Sequence, residues 1–323
     1  MITATTMLYL YVETPLHAGM GSGLSSIDLP IQRERTTQYP MIQGSSIKGK
    51  LRALAEESNE DIVLINAIFG PAPTVGETSD HAGALIAGDA RILLFPVRSL
   101  SGVFAYTTSC DVLARFKRDI ERIDTNQQRT STIDRPASSS NKLVSLPWHL
   151  PDRPVPGSAL VTTNSEVQFH NNLVLEEFSF TTQASVQIDA IATWLAEHAI
   201  PTHNADDYWI DKLKSSLVIL PENDFRDFTL YATEIITRIR IDRNTKTVAK
   251  GALWTEEHLP TDTLLYVPIY ATDARQNSKE KPKLPGRQIL EAVRAQDIER
   301  GGYLQLGGDE TVGRGMVRVR WAS

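Results

Sequence analysis

The sequence has little cysteine and no long apolar segment. Its 323 residues contain a single cysteine, Cys110, which excludes an internal disulfide and a cysteine-rich zinc site. Such low cysteine content is typical of a reducing compartment, so we expect a cytoplasmic protein. No stretch approaches the roughly 18 consecutive apolar residues of a membrane-spanning helix, and the opening residues lack the basic and apolar regions of a signal peptide. We therefore expect no membrane among its partners.

The sequence also lacks the short motifs of common hydrolases. It contains no G-x-S-x-G nucleophile elbow, no H-E-x-x-H zinc motif and no paired spacing of metal ligands. Its seven histidines do not cluster along the chain. The 39 acidic side chains outnumber the 33 basic ones, and the net charge of −6 argues against indiscriminate binding of nucleic acid. A local basic surface remains compatible with this balance.

What the sequence contains is a mixture of strand and helix patterns. An alternating segment over 5–13 predicts an opening strand, and the spacing of Ile47, Leu51 and Leu54 predicts a helix to about residue 58. Further helices are predicted over 60–68, 110–123, 187–199, 223–234 and 286–299, and strands over 84–97, 160–180, 235–242, 262–271 and 315–323. Because βαβα alternation and fixed-period repeats are both missing, we expect an α+β fold with long insertions on a modest sheet.

Two segments are too long for ordinary connections. A glycine-rich loop covers about 18–44, and a loop of that length requires a function or a partner that holds it. Residues of about 124–160 are polar and rich in serine and proline, which predicts an exposed insertion rather than a domain linker.

The segment Gly44–Lys50 matches the glycine and lysine spacing of a P-loop. A P-loop continues with a serine or threonine that holds Mg²⁺, but this chain has Leu51. A clear preceding strand is also lacking. A nucleotide hydrolase is therefore a disfavoured hypothesis.

Basic residues crowd the start of the helix predicted near residue 45, where the helix dipole favours anions. One interpretation is a solvated face that tolerates a small electrostatic cost. The other is that a phosphate binds at the amides of the two serines, which are also predicted to cap the helix, while the neighbouring cations close over it. The residues of this candidate RNA-binding segment are Arg33, Arg35, Ser45, Ser46, Lys48, Lys50 and Arg52.

Two further clusters can meet RNA. Arg238 and Arg240 alternate with Ile239 and Ile241, so one face of the predicted strand can pack while the other meets an anion. An edge strand protected by charge is the alternative. Near the C-terminus, the tripeptide Gly313-Arg314-Gly315 precedes a strand, which does not fit a dinucleotide-binding turn. Its glycines can instead let the backbone approach RNA or another chain closely.

Four segments together resemble the RAMP superfamily. They are TPLHAGMGSGLSSIDLPIQRERTTQYPMIQGSSIKGKLR at 14–52, ILPENDFRDFTLYATEIITRIRID at 219–242, GALWTEEHLPTDTLLY at 251–266 and LQLGGDETVGRGMVRVRW at 304–321. Within the superfamily they are similar to the backbone subunits (subunit four) of type III-B CRISPR effector complexes, the Cmr complexes. The resemblance covers both ends and most of the second half, and the segment 124–160 looks variable.

The resemblance implies a single RAMP domain over residues 1–323. Its fold would be a ferredoxin-like, RRM-related palm with a thumb β-hairpin at about 236–260. The implied partners are a guide crRNA, a complementary single-stranded target RNA, further copies of the chain in a helical filament, and other Cmr subunits. The implied role is antiviral defence.

The resemblance also implies a divalent-metal-dependent endoribonuclease that cuts the target at regular intervals. By motif match Asp28 is the catalytic aspartate and metal ligand, with weakly bound Mg²⁺ or Mn²⁺. His17 and Glu256 lie in adjoining matched motifs, and His258 stands where relatives often carry an aromatic residue. The RNA would be cut by its own 2′-hydroxyl. A crRNA-binding scaffold without cleavage activity is the competing hypothesis.

Overall fold

The computed structural model describes residues 1–23, 26–58, 61–72, 82–134, 146–201, 208–275, 284–299 and 301–322. Its helices are α1 (Gly44–Glu57), α2 (Ile62–Phe69), α3 (Cys110–Asp134), α4 (Val186–His198), α5 (Tyr208–Ser216), α6 (Glu222–Tyr231) and α7 (Gly286–Glu299). Its strands are β1 (Ile2–Val12), β2 (Met41–Ile42), β3 (Leu85–Ala87), β4 (Ala90–Arg98), β5 (Phe104–Ser109), β6 (Ser158–Val161), β7 (Gln168–Phe169), β8 (Asn172–Leu175), β9 (Phe178–Ala184), β10 (Leu217–Leu220), β11 (Glu234–Ile241), β12 (Val248–His258), β13 (Leu264–Thr272), β14 (Tyr303–Gln305) and β15 (Met316–Trp321). The expected α+β class is confirmed. None of the described helices is long and apolar enough to cross a membrane.

The centre of the fold has ferredoxin-like topology. Strands β15, β1, β13 and β4 lie side by side in that order, and each neighbouring pair is antiparallel. Helices α1 and α2 connect β1 to β3 and β4, and α7 connects β13 to β15. This is the β-α-β-β-α-β arrangement, with a long insertion between its second and third central strands.

That insertion enlarges the sheet well beyond the modest size predicted. Strands β5, β10, β6, β9, β8 and β7 continue it outward from β4, so it reaches 13 strands within the described residues. Strands β5 and β10 and helix α5 were not predicted. Strand β10 is only four residues long and buried throughout, and short apolar runs of this kind carry no period that identifies them.

The core packs on both faces of β1. The rings of Tyr9 on β1 and Tyr266 on β13 contact Phe116 of α3 with centroid distances of 6.2 and 5.0 Å. Because successive side chains of a strand point to opposite faces, Leu8 and Leu10 point away from α3, and both are fully buried. Helix α3 therefore covers one face of the central strands.

Helix α1 begins differently from the prediction. Its N-cap residue is Gln43, and neither Ser45 nor Ser46 caps the helix. The amide of Gly44 donates to Oδ1 of Asp89 at 2.9 Å, so a carboxylate of this chain already lies at the helix start. A Cβ atom on Gly44 would come within 2.4 Å of the Ala87 carbonyl oxygen, so only glycine allows this close approach.

The segment of about 124–160 is partly regular structure. Helix α3 continues to Asp134 instead of ending near residue 123, and residues 135–145 lie outside the described residues. Trp148 is buried, with its ring 6.4 Å from that of Trp194, although the segment was expected to be exposed. An aromatic ring among polar residues anchors this part of the chain because it buries a large apolar area.

Strands β11 and β12 form a separate two-stranded hairpin. They pair antiparallel from Glu234 opposite His258 to Ile241 opposite Val248, with an irregularity after Ile239. The chain enters the hairpin from α6 and leaves it toward β13, so its base lies next to the central sheet.

Candidate functional site

The glycine-rich loop docks on the base of the hairpin. The amide of Leu29 donates to the Thr255 carbonyl at 3.0 Å, and the amide of Glu257 donates to the Leu29 carbonyl at 3.0 Å. Before the loop, Leu16 exchanges two backbone hydrogen bonds with Leu259. The described part of the loop is therefore held by contacts within the chain, whereas a loop of this length was expected to require a function or a partner that holds it.

Asp28 lies exposed beside this contact, opposite Thr255. Its Oδ2 accepts hydrogen bonds from the Thr255 amide at 2.8 Å and the Thr255 hydroxyl at 3.0 Å. In return, the Asp28 amide donates to the Thr255 hydroxyl oxygen at 3.0 Å. The two hydrogen bonds from Thr255 lower the pKa of Asp28, so its carboxylate is charged at neutral pH. Because the Asp28 side chain is exposed, its carboxylate can also reach a cation or an RNA group.

His17 is fixed just before the loop. Its Nδ1 lies 2.7 Å from the Glu257 carbonyl oxygen, and because a carbonyl only accepts, Nδ1 carries the proton and Nε2 is the acceptor of the neutral ring. A Cβ on Gly19 would lie 2.7 Å from that Nε2, and the ring of His258 is 5.3 Å away. The Gly308 amide donates to the His17 carbonyl. The structure thus brings His17 to the same hairpin strand as Asp28.

Glu256 is buried and already paired. It is 5% exposed, and its carboxylate accepts from the Trp254 indole at 2.7 Å and lies 3.0 Å from Nε of Arg238. Burial alone would raise the pKa of Glu256, but the Trp254 hydrogen bond and the charge of Arg238 outweigh it and lower the pKa. The same Arg238 guanidinium donates to Asp309 at 2.6 Å. A carboxylate with these partners is a poor proton acceptor, so Glu256 braces the hairpin against the C-terminal glycine turn.

Two sets of residues can hold a divalent ion. Ligand atoms of Glu256, His258 and Asp309 lie within 4.8 Å of one another, and His258 Nδ1 and one Asp309 oxygen are buried without a hydrogen-bond partner among the described residues. Burial lowers the pKa of His258, so its ring is neutral at pH 7 and can ligate. However, Arg238 already balances both carboxylates of this trio. Asp28 is not part of the trio and offers one exposed carboxylate.

The predicted phosphate-binding helix start has most of its cations engaged elsewhere. The Lys48 ammonium donates to the Leu85 carbonyl at 2.8 Å, and burial lowers the pKa of Lys48. Arg52 donates to Glu56 and to the Gly70 carbonyl. Arg33 is largely buried and donates to Glu257, Gln38 and Thr229. Side chains that remain exposed here are Arg35, Ser45 and Ser46, with Lys50 half-buried.

The hairpin presents its faces in the opposite way to the prediction. The Arg238 side chain forms ion pairs with Glu256 and Asp309. In contrast, Ile239 and Ile241 are 49% and 56% exposed. Leu253 lies directly opposite Ile239 and is 64% exposed. Five exposed apolar residues belong to the hairpin, and we call them the apolar thumb face: Ile235, Ile239, Ile241, Val248 and Leu253. Arg240 is exposed on the other side.

The C-terminal glycine cluster is shaped by close backbone packing. Gly315 has φ +73°, and a Cβ there would meet the Leu306 carbonyl at 1.9 Å. Gly313 also has positive φ but faces open space, and Arg314 is half-buried. The close approach at Gly315 is therefore to this chain's own backbone, while Gly313 stays accessible.

Sequence reasoning did not single out Thr255, Asp309 or the ion-paired role of Arg238. Thr255 stands immediately before Glu256 in a segment that resembles the family. That position was the one sequence signal that could have indicated a role for Thr255. Its partner is 227 residues away, and only folding brings them together.

Comparisons with known proteins match nearly the whole chain. The family model of the RAMP superfamily matches residues 9–318. The chain is 38% identical over 315 residues to the CRISPR system Cmr endoribonuclease Cmr4 of Pyrococcus furiosus, which covers 96% of this chain and 93% of that protein. The crystal structure of oligomeric Cmr4 from Pyrococcus furiosus superposes with a TM-score of 0.69 at 31% identity, covering 99% and 98% of the two chains. A chain of the type III-B Cmr-beta complex in its apo state gives a TM-score of 0.65 at 25% identity, covering 99% and 98%.

Proposed function

The chain belongs to the RAMP superfamily, and from that premise we propose that it is the backbone subunit of a type III-B CRISPR effector complex. In this role copies of the chain bind along a guide crRNA. Each copy cleaves complementary target RNA, so that cuts occur at regular intervals. The similarity to a Cmr endoribonuclease and to an oligomeric Cmr4 supports both the activity and the self-association.

The observation that carries this proposal is the placement of Asp28. An exposed, charged carboxylate is fixed at the foot of a free-standing hairpin, within the same strand contact that holds His17. A catalytic group held by an ordered scaffold needs little reorganisation when substrate binds. The glycine-rich loop supplies Asp28, and the hairpin supplies Thr255, which hydrogen-bonds the Asp28 carboxylate. The position of the hairpin therefore sets the position of the proposed catalytic group.

The hairpin supplies the second part of the proposal. Its apolar thumb face is unpacked within the described residues and suits insertion between base pairs of a guide–target duplex. Unstacking a base step costs a few kcal/mol, which apolar side chains offset by filling the gap. An interrupted duplex bends, and a bend can align the target's 2′-hydroxyl with the adjacent phosphate.

The proposed reaction is an intramolecular attack within the target strand. The 2′-oxygen bonds to the adjacent phosphorus while the bond from phosphorus to the 5′-oxygen breaks, giving a 2′,3′-cyclic phosphate and a 5′-hydroxyl. The proton leaves the 2′-hydroxyl, and the 5′-oxygen gains one. His17 is a candidate acceptor for the first proton because its Nε2 carries the lone pair. Asp28 is too acidic for an efficient base and serves better to hold a cation.

A divalent ion, when bound, supplies positive charge against the phosphate oxygens. The carboxylate of Asp28 would hold it together with substrate oxygens and water, an all-oxygen set that suits Mg²⁺. The buried trio of Glu256, His258 and Asp309 has a nitrogen donor and suits Mn²⁺ better. Glu256 in this proposal positions the hairpin rather than reacting.

Reconstitution tests the function directly. The purified chain is assembled with a crRNA and the partner subunits of its operon, and a labelled complementary RNA is added. We expect several products separated by a constant length, and none when the guide is omitted. Binding of the target without any cut would favour the non-catalytic scaffold. Assembly that is independent of guide RNA would contradict the proposal.

A further inference from the structure

A cluster of arginines lies on α3 and β4, outside every residue assigned above. Arg91 of β4 donates to Oδ2 of Asp119 at 2.6 Å. Arg118 and Arg122 of α3 approach the other oxygen of the same carboxylate at 4.0 and 3.8 Å. Asp119 itself is 1% exposed. Three guanidinium groups therefore surround a single buried carboxylate, and of the three only Arg91 hydrogen-bonds it.

The cluster is continuous with the early loop. Arg115, one helical turn before Asp119, donates to Glu34 at 2.6 Å. Glu34 lies in the loop that also carries Asp28, and the charges of Arg115 and Arg91 both act on it. The four arginines face two carboxylates, Asp119 and Glu34, so the cluster keeps a net charge of +2 within a chain of net charge −6.

An ordinary solvated helix face does not account for this arrangement. Such a face pairs each cation with its own acid along the helix, as Lys117 does with Glu121 at 3.9 Å. Arg118 and Arg122 share one buried acid instead, and their side chains are 61% and 56% exposed. Because Oδ1 of Asp119 accepts no hydrogen bond from them, their N–H groups stay available to a ligand. Planar guanidinium groups match the geometry of phosphate oxygens.

We propose that the cluster of Arg91, Arg115, Arg118 and Arg122 is a phosphate-binding surface that takes the phosphodiester backbone of RNA. It extends the RNA path away from the Asp28 loop along α3. The identity of the ligand rests on the proposed function. Free inorganic pyrophosphate shares the same chemistry and is the alternative source of the phosphate groups.

The test uses the full chain and a labelled single-stranded RNA. Affinity is measured over a salt series for the wild type and for the double variant Arg118→Gln with Arg122→Gln. Each phosphate contact with single-stranded RNA contributes about 0.7 to the slope of log affinity against log salt, so losing two contacts lowers the slope by roughly 1.4. The matched control is Arg98→Gln with Arg287→Gln, which removes the same charge from exposed arginines that each pair with nearby glutamates. We expect the control to keep the wild-type slope.

Three results would overturn the inference. One is an unchanged slope in the Arg118/Arg122 variant, and another is an equal fall in the control. The third is a variant that keeps its RNA affinity but loses thermal stabilisation by inorganic pyrophosphate, which would assign the surface to a free phosphate compound. Failure of the wild type to bind any RNA would instead reject the proposed function itself, so the two failures are distinguishable.

Discussion

Thr255 holds the carboxylate of Asp28 through its amide at 2.8 Å and its hydroxyl at 3.0 Å, across 227 residues of sequence. The contact joins the glycine-rich loop to the hairpin. The hydroxyl both donates to Asp28 and accepts from its amide, so a single side chain sets the orientation of the proposed catalytic group.

We therefore expect Thr255→Val to reduce target cleavage about tenfold while RNA binding is unchanged. The variant keeps the backbone bond and loses the hydroxyl bond, so the carboxylate is oriented less well for the reaction. Single-turnover cleavage measures the effect. Thr255→Ser retains the hydroxyl and is the matched control; if it is as slow as the valine variant, Thr255 acts only through packing.

The pH dependence of stability should show the same contact. Thr255 lowers the pKa of Asp28 below its unfolded value, so this contribution to folding is present above the ordinary aspartate pKa and is lost as pH falls through the folded pKa. Unfolding of the wild type and Asp28→Asn is compared at neutral pH and near pH 3. We expect the wild type's advantage to shrink at the acidic end; a constant difference would show that the charge of Asp28 has no part in it.

Arg238 should matter for stability far more than its neighbour on β11. Removing it leaves Glu256 buried and without its cation, which costs about 3 kcal/mol. Arg240, two residues along and exposed, is the control, and its substitution should stay within about 0.5 kcal/mol. Urea unfolding of Arg238→Ala and Arg240→Ala measures both. Equal losses would show that the Arg238 pairs are not the source of stability.

Sequence reasoning succeeded where a pattern was long or a motif extended. Helix α7 has the predicted bounds of 286–299 because its apolar spacing is regular over fourteen residues. The family resemblance named Asp28, His17 and Glu256, and the structure places all three at or against strand β12, while their catalytic roles stay predictions. Extended motifs can identify such residues because several matched segments, distant in sequence, come together in the folded chain.

The same reasoning did not identify the partners of side chains that packing sets. Lys48 was expected at a phosphate, but its ammonium binds a carbonyl of β3, 37 residues away. The alternation of Arg238 with Ile239 was recognised, yet the sequence alone does not indicate which face turns to the palm. The buried pairs with Glu256 and Asp309 decide it, and Asp309 lies 71 residues from Arg238.

Asp28→Asn provides the most direct test of the central claim. Asparagine keeps the shape and can still accept from Thr255, but it removes the negative charge that would hold a cation. Effector complexes with this variant are assembled on crRNA and given labelled target in the presence of Mg²⁺. We predict normal assembly and target binding with cleavage lowered at least about 100-fold, the scale of a lost catalytic group. Regularly spaced cleavage at the wild-type rate would contradict the account and leave Asp28 a structural residue.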